Sequence, residues 1–250
     1  MEAGETPSGG LGAELDRIGS AVDAGDTDLG QLGFWRVVAL IKRDDELIER
    51  YAEQVGRIDA KAFRAAVRVR LPVWAGNLLM AAGLAIGFGG FVLAAVRGTH
   101  NFTFEYHAPL AGIGLLVAAG AWDVAVHSPT HWLVGRAVGM RFLCYFLRTT
   151  TAPPGLKTDY ASYLRTSPVA RAWMHASGAI ATKLVPFFVL ALASATGIDA
   201  PGWAIAILWV LGIGQIFSDV VFSTRKSDWK KVRRELAVAR ARRRVRAGGA

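Results

Sequence analysis

Residues 108–142 read APLAGIGLLVAAGAWDVAVHSPTHWLVGRAVGMRF, a long apolar stretch that runs into a pair of histidines. The first part of this stretch, residues 108–126, is long enough as a helix to cross a bilayer core of about 30 Å. The second part places ionisable groups near one end of that helix. Such groups are costly at membrane depth and usually serve a function there. This stretch therefore predicts both a membrane fold and the position of a site.

Three further apolar runs have a similar length, at residues 71–96, 172–196 and 202–223. The whole chain of 250 residues is 52% hydrophobic, and its mean hydropathy is +0.31. Soluble domains of this length are rarely so apolar. We expect an all-α polytopic membrane protein with about four transmembrane helices, an N-terminal amphipathic helix and a basic C-terminal tail. Its single cysteine, Cys144, excludes an intramolecular disulfide framework.

Four regions follow from the composition along the chain. Residues 1–30 are acidic and Gly/Ser-rich, which predicts a disordered or weakly helical N-terminus. Residues 31–70 carry apolar groups at helical spacing opposite a charged face, which predicts a cytoplasmic amphipathic helical region. Residues 71–224 form the predicted four-span membrane domain, in which Gly83 and Gly87 permit close helix packing. Residues 225–250 form a basic cytoplasmic tail.

Charge sets the expected orientation and partners. The tail holds eleven Lys and Arg and two acids, so it carries the whole formal net charge of +9. Basic residues also flank the predicted spans on alternate sides, which places both termini in the cytoplasm by the positive-inside rule. We expect a multi-pass protein of a plasma membrane, of bacterial source, whose tail contacts anionic lipids. No groove-reading or aromatic pattern accompanies the charge, so nucleic acid is not an expected partner.

The histidine motif predicts a metal site. His127 and His131 are four residues apart and so lie on one helix face, the geometry by which two imidazoles bind one metal ion. Asp123 lies one turn earlier on the same face, where it would orient His127 or act as a base. The plainer alternative is that both histidines are interfacial residues hydrogen-bonded to water or lipid.

Depth along the spans suggests a third ligand. Asp219, near the end of the fourth span, falls at about the level of His127 and His131, so the three would complete an open zinc site. His175, in the first turns of the third span, is a further candidate for this layer. Lys183 is mid-span and would snorkel or pair with an acid. Alternatively, Asp219 forms an ion pair with the basic residues that follow it.

At residues 127–142 the chain resembles the site-2 protease group of intramembrane zinc metalloproteases. The pattern H-x-x-x-H-x-x-x-G-R-x-x-G-x-R-F is similar to that family's H-E-x-x-H and the small residues, arginine and glycine that follow it. Ser177-Gly178-Ala179 resembles the family's S/A-G-P element, and Asp219 stands where the family carries its zinc-binding aspartate. The resemblance covers about residues 110–225. It implies a three-helix core with zinc on His127, His131 and Asp219.

The chain departs from that family at the group that performs hydrolysis. Ser128 occupies the position of the glutamate that acts as general base, and a hydroxyl cannot carry the proton to the leaving amine. We therefore expect a metal-binding, non-catalytic relative that binds another transmembrane protein. Three alternatives remain open: an active intramembrane metallopeptidase that uses Asp123 as base on a transmembrane protein substrate, a small metal or ion transporter, and a haem protein that uses His175.

Overall fold

The structure is a computed structural model that describes residues 7–98, 108–147, 154–221 and 227–248. Within these ranges the chain is mostly helical, with a small antiparallel sheet. The helices are α1 Pro7–Asp23, α2 Phe34–Ile41, α3 Asp45–Ala66, α4 Val73–Gly98, α5 Ala108–Ala137, α6 Tyr160–Arg165, α7 Pro168–Ala195, α8 Gly202–Val221 and α9 Asp228–Gly248. The strands are β1 Val69–Leu71, β2 Phe142–Leu147 and β3 Gly155–Thr158.

Three of the described helices are long and apolar enough to cross a membrane: Val73–Gly98, Pro109–Ala137 and Pro168–Ala195. They coincide with the first three predicted spans. The fourth predicted span is also helical, but its apolar part, Gly202–Ser218, is shorter. All four helices expose large apolar side chains, as lipid-facing helices do; examples are Leu78, Phe88, Val124, Leu184, Phe188, Val210 and Phe217.

The chain divides into two compact units. Unit 1 comprises Met1–Val73, Gly135–Ala172 and Arg233–Ala250, and unit 2 comprises Trp74–Val134 and Trp173–Val232. These boundaries differ from the four consecutive regions that composition predicts. In unit 1, Ala161 and Leu164 join the apolar core of α1, α2 and α3, and Glu235 of α9 forms an ion pair with the buried Arg171.

Unit 2 is built on close helix contacts at glycines. A Cβ atom on Gly90 would lie 2.8 Å from the Gly114 carbonyl oxygen, and one on Gly87 would lie 2.2 Å from Cδ1 of Trp122. A Cβ on Gly83 would lie 2.9 Å from the Ala125 Cβ. The prediction that the Gly83–Gly87 spacing permits close helix packing is confirmed. These contacts hold α4 against α5, the helix that carries both histidines.

Unit 1 has a separate apolar core under α1, α2, α3 and α6. Its sheet has the order β1-β2-β3 with both pairs antiparallel; Val69 is opposite Leu147, and Tyr145 is opposite Leu156. The sheet is an addition to the predicted all-α fold. The strands are short and show no strict alternation of apolar and polar residues, which is why the sequence pattern did not indicate them.

Of the two alternatives given for residues 1–30, disordered or weakly helical, the helical one describes residues 7–23, which form α1. Leu15 and Ile18 are fully buried, and Val22 is 4% exposed. These three recur at intervals of three and four, so they form one apolar stripe that packs into the core of unit 1. Because large apolar residues are few in this Gly-rich acidic segment, its composition resembles that of a disordered segment even though its narrow apolar stripe is buried.

The amphipathic region at residues 31–70 is two helices, α2 and α3. The break occurs at Asp44, whose side chain caps α3 by accepting hydrogen bonds from the backbone N–H groups of Glu46 (2.8 Å) and Leu47 (3.2 Å). The predicted apolar face is confirmed, because the apolar residues at helical spacing are buried in unit 1: Val37, Ile41, Ile48, Tyr51, Val55, Ile58 and Ala62. The short helix α6 begins in the same way as α3, with the Asp159 side chain as its N-cap.

The basic tail contributes a buried ion pair network to unit 1 through α9. Glu235 is 4% exposed; its carboxylate lies 2.6 Å from Lys42 Nζ and 2.6 Å from Nε of the fully buried Arg171. The Tyr163 hydroxyl donates to the same carboxylate at 2.9 Å. Burial alone would raise the pKa of Glu235, but the two cations and their hydrogen bonds lower it below its usual value.

Candidate metal centre

Helix α5 presents His127 and His131 to the same point, as their spacing predicts. Their Nε2 atoms lie 3.2 Å apart, and their rings meet edge to face with centroids 4.7 Å apart. The third member of the cluster is Asp228, the first residue of α9, whose Oδ2 lies 3.4 Å from His127 Nε2 and 3.3 Å from His131 Nε2. All three residues belong to unit 2.

The spacing of these three atoms matches a tetrahedral metal site. Zinc binds imidazole nitrogen and carboxylate oxygen at about 2.0–2.2 Å, so the ligands of a tetrahedral zinc are separated by about 3.3 Å. The three separations in the cluster are 3.2, 3.3 and 3.4 Å. Two imidazoles and one carboxylate are also a donor set that zinc prefers, with a fourth position open.

A backbone carbonyl fixes the tautomer of His131. Its Nδ1 lies 2.5 Å from the Met174 carbonyl oxygen of α7. A carbonyl can only accept, so Nδ1 carries the proton, which leaves Nε2 as the nitrogen that can offer a lone pair to a metal in the cluster. This is the arrangement by which proteins orient metal-binding histidines.

Helix α7 also makes room for the His131 ring. A Cβ on Gly178 would lie 2.4 Å from His131 Nε2 and 2.6 Å from its Cε1. Any side chain at this position would therefore push the ring away from the cluster. His131 is 12% exposed as a side chain, whereas His127 is 39% exposed, so the cluster is accessible from one side.

The two oxygens of Asp228 have different surroundings. Oδ2 faces the two histidines, whereas Oδ1 lies 2.8 Å from Lys231 Nζ and 4.0 Å from His175 Nδ1. Burial alone would raise the pKa of Asp228, but the two imidazoles beside Oδ2 and the charge of Lys231 beside Oδ1 lower it well below its usual value. The carboxylate is therefore ionised and available as a ligand.

The structure brings together two of the three predicted ligands, His127 and His131. Asp219 lies in the last turn of α8, but its side chain is outside the described residues, so its role as a ligand stays a prediction. His175 lies beside the cluster, because its Nδ1 is 4.0 Å from Oδ1 of Asp228. Its position in the first turns of the third span had made it a candidate for this layer.

Asp123 has a different environment from the metal cluster. It accepts a hydrogen bond from Gln215 Nε2 of α8 at 3.3 Å, and the charge of Lys183 on α7 acts on it. Its predicted role as a base is not tested by this arrangement. Ser128, at the position of the expected glutamate, is 5% exposed.

Asp228 is the residue that the sequence reasoning missed as a ligand. In the sequence it is one of two acids in a basic tail, with no motif around it. The sequence did contain one indication. Asp228 is an acid among eleven Lys and Arg residues, whose positive charges favour its ionised form and offer it many potential partners. Both acids of the tail, Asp228 and Glu235, have buried partners in the structure.

Comparisons with protein-family models, with curated proteins and with solved structures found no match to this chain.

Proposed function

We propose that this protein is a membrane-embedded metal-binding protein in which His127, His131 and Asp228 hold one zinc ion. The observation that carries the proposal is the triangle formed by two Nε2 atoms and one carboxylate oxygen, with sides of 3.2, 3.3 and 3.4 Å. Two imidazole nitrogens and a carboxylate oxygen directed at one point are the donor set of an open zinc site.

The proposed protein is a non-catalytic relative of the site-2 type of intramembrane protease. The H-x-x-x-H pair on one helix and Gly178 against His131 support the likeness. Ser128 beside the first ligand removes the usual base, and a zinc-bound water needs such a group to pass its proton to a leaving amine. The protein would then bind a transmembrane partner without cleaving it.

We further propose four membrane spans with both termini in the cytoplasm. The apolar part of α8, Gly202–Ser218, follows three helices of membrane-spanning length and composition. The basic residues that flank the four helices on alternate sides support this orientation, in which the tail would lie beside anionic lipids.

The test of the site compares two aspartates. Zinc affinity is measured by chelator competition for the wild type, Asp228→Asn and Asp219→Asn in detergent. We expect Asp228→Asn to weaken zinc binding by about 100-fold or more and Asp219→Asn to weaken it less, because loss of a direct ligand exceeds the roughly 10–100-fold cost of losing a supporting group. The reverse result would reject Asp228 as the ligand. Equal zinc affinity in all three proteins would reject the site.

A further inference from the structure

The charged groups around Asp228 affect which ligand would bind at the open coordination position of the metal. We propose that the open coordination position takes a phosphate group, held jointly by the metal and by Lys231. This inference rests on the proposed function, since it needs a divalent ion on His127, His131 and Asp228. It adds a ligand class that the protease resemblance does not supply.

The first step is a charge count. Histidines that bind a metal through a lone pair are neutral. A divalent ion, the Asp228 carboxylate and the Lys231 ammonium, which lies 2.8 Å from Asp228 Oδ1, then sum to +2. Asp123, one turn earlier on α5, is hydrogen-bonded to Gln215 and is not one of the three grouped ligand residues. A net charge of +2 in a partly buried site is costly unless an anion joins it.

The second step is geometry. The Asp228 carboxylate uses Oδ2 toward the histidines and Oδ1 toward Lys231, so the metal position and the ammonium are neighbours across one carboxylate. A phosphate group can bridge the same two positions, because one of its oxygens can bind the metal while another accepts a hydrogen bond from Lys231. The exposed side of the cluster at His127, whose side chain is 39% exposed, admits such a ligand.

The third step is the choice of anion. A phosphate monoester or inorganic phosphate carries nearly two negative charges at neutral pH and so offsets the net charge of +2, whereas a carboxylate or chloride offsets half of it. Two sources share this chemistry: phosphate in solution, and the monoester headgroup of phosphatidic acid. The position of the site near one end of α5 is compatible with both sources.

The experiment uses the full-length protein loaded with Co²⁺ in place of zinc, whose visible absorption reports changes at the metal. Cobalt content is measured first in the wild type, Lys231→Met and the matched control Lys230→Met. Each protein is then titrated with inorganic phosphate, acetate and chloride in detergent. In a second arm it is reconstituted in phosphatidylcholine vesicles with and without phosphatidic acid.

We expect phosphate to change the wild-type spectrum at lower concentration than acetate or chloride. Lys231→Met should raise the apparent Kd for phosphate about tenfold, because it removes one charge-assisted hydrogen bond, and Lys230→Met should not. A change with phosphatidic acid as well identifies the lipid as a source, and a change with phosphate alone identifies the soluble ion. Failure to bind cobalt would reject the proposed function itself. Bound cobalt with no preference for phosphate, or with no effect of Lys231→Met, would overturn the phosphate inference alone.

Discussion

Replacing Gly178 with alanine tests whether α7 positions the metal ligand on α5. The added methyl group would lie 2.4 Å from His131 Nε2 and 2.6 Å from Cε1, whereas ordinary contacts of this kind exceed 3.4 Å. The ring must therefore move by about 1 Å, and metal–ligand distances tolerate only about 0.2 Å. The same movement breaks the hydrogen bond from Nδ1 to the Met174 carbonyl, which is 2.5 Å long.

We expect Gly178→Ala to weaken zinc binding by about 100-fold or more, because loss of a direct ligand exceeds the roughly 10–100-fold cost of losing a supporting group. Zinc affinity is measured by competition with a chelator, and folding by circular dichroism. Gly90→Ala is the matched control, since its methyl group would lie 2.8 Å from the Gly114 carbonyl oxygen and would strain unit 2 away from the cluster. Unchanged zinc affinity in Gly178→Ala, or equal loss in both variants, would refute the positioning role.

Three further changes test other parts of the account. Ser128→Glu should keep its zinc and show at most weak cleavage of a model transmembrane substrate, which the wild type should not cleave; robust wild-type cleavage would contradict the non-catalytic assignment. Glu235→Gln should lower the free energy of unfolding of unit 1 by about 3 kcal/mol in denaturant, because it leaves two buried cations without their counter-charge. The wild type should lose this contribution as pH falls through the folded-state pKa of Glu235, which is below the unfolded value, so the unfolded chain takes up the proton first. Single cysteines, in a chain with Cys144 replaced, should be labelled from outside at Ala200 and only after permeabilisation at Gly10; labelling of intact cells at Gly10 would contradict the topology.

Local patterns predicted the parts of the fold that depend on local spacing. The apolar runs marked α4, α5, α7 and α8, because membrane-length helices need only continuous hydrophobicity. The apolar face of α3 was recognisable from its helical spacing. The convergence of His127 and His131 followed from an interval of four residues in one helix.

Long-range contacts explain what the sequence did not indicate. Asp228 joins the histidines from a different helix about a hundred residues away, and no local pattern distinguishes it from a surface acid. Leu15 and Ile18 are too sparse to order the N-terminal segment until α3 supplies the other half of their core. Strand β2 continues an apolar sequence, so its pairing with β1 and β3 becomes apparent only when all three segments are placed together.

The central claim is most directly tested by the metal content of full-length protein purified in detergent without chelator, wild type beside His131→Ala. Elemental analysis should find about one zinc per wild-type chain and almost none in the variant, because His131 supplies one of three ligands whose spacing is that of a tetrahedral site. Circular dichroism should show the same helix content in both proteins. A wild-type protein that is folded and free of metal, or a variant that keeps its zinc, would contradict the account.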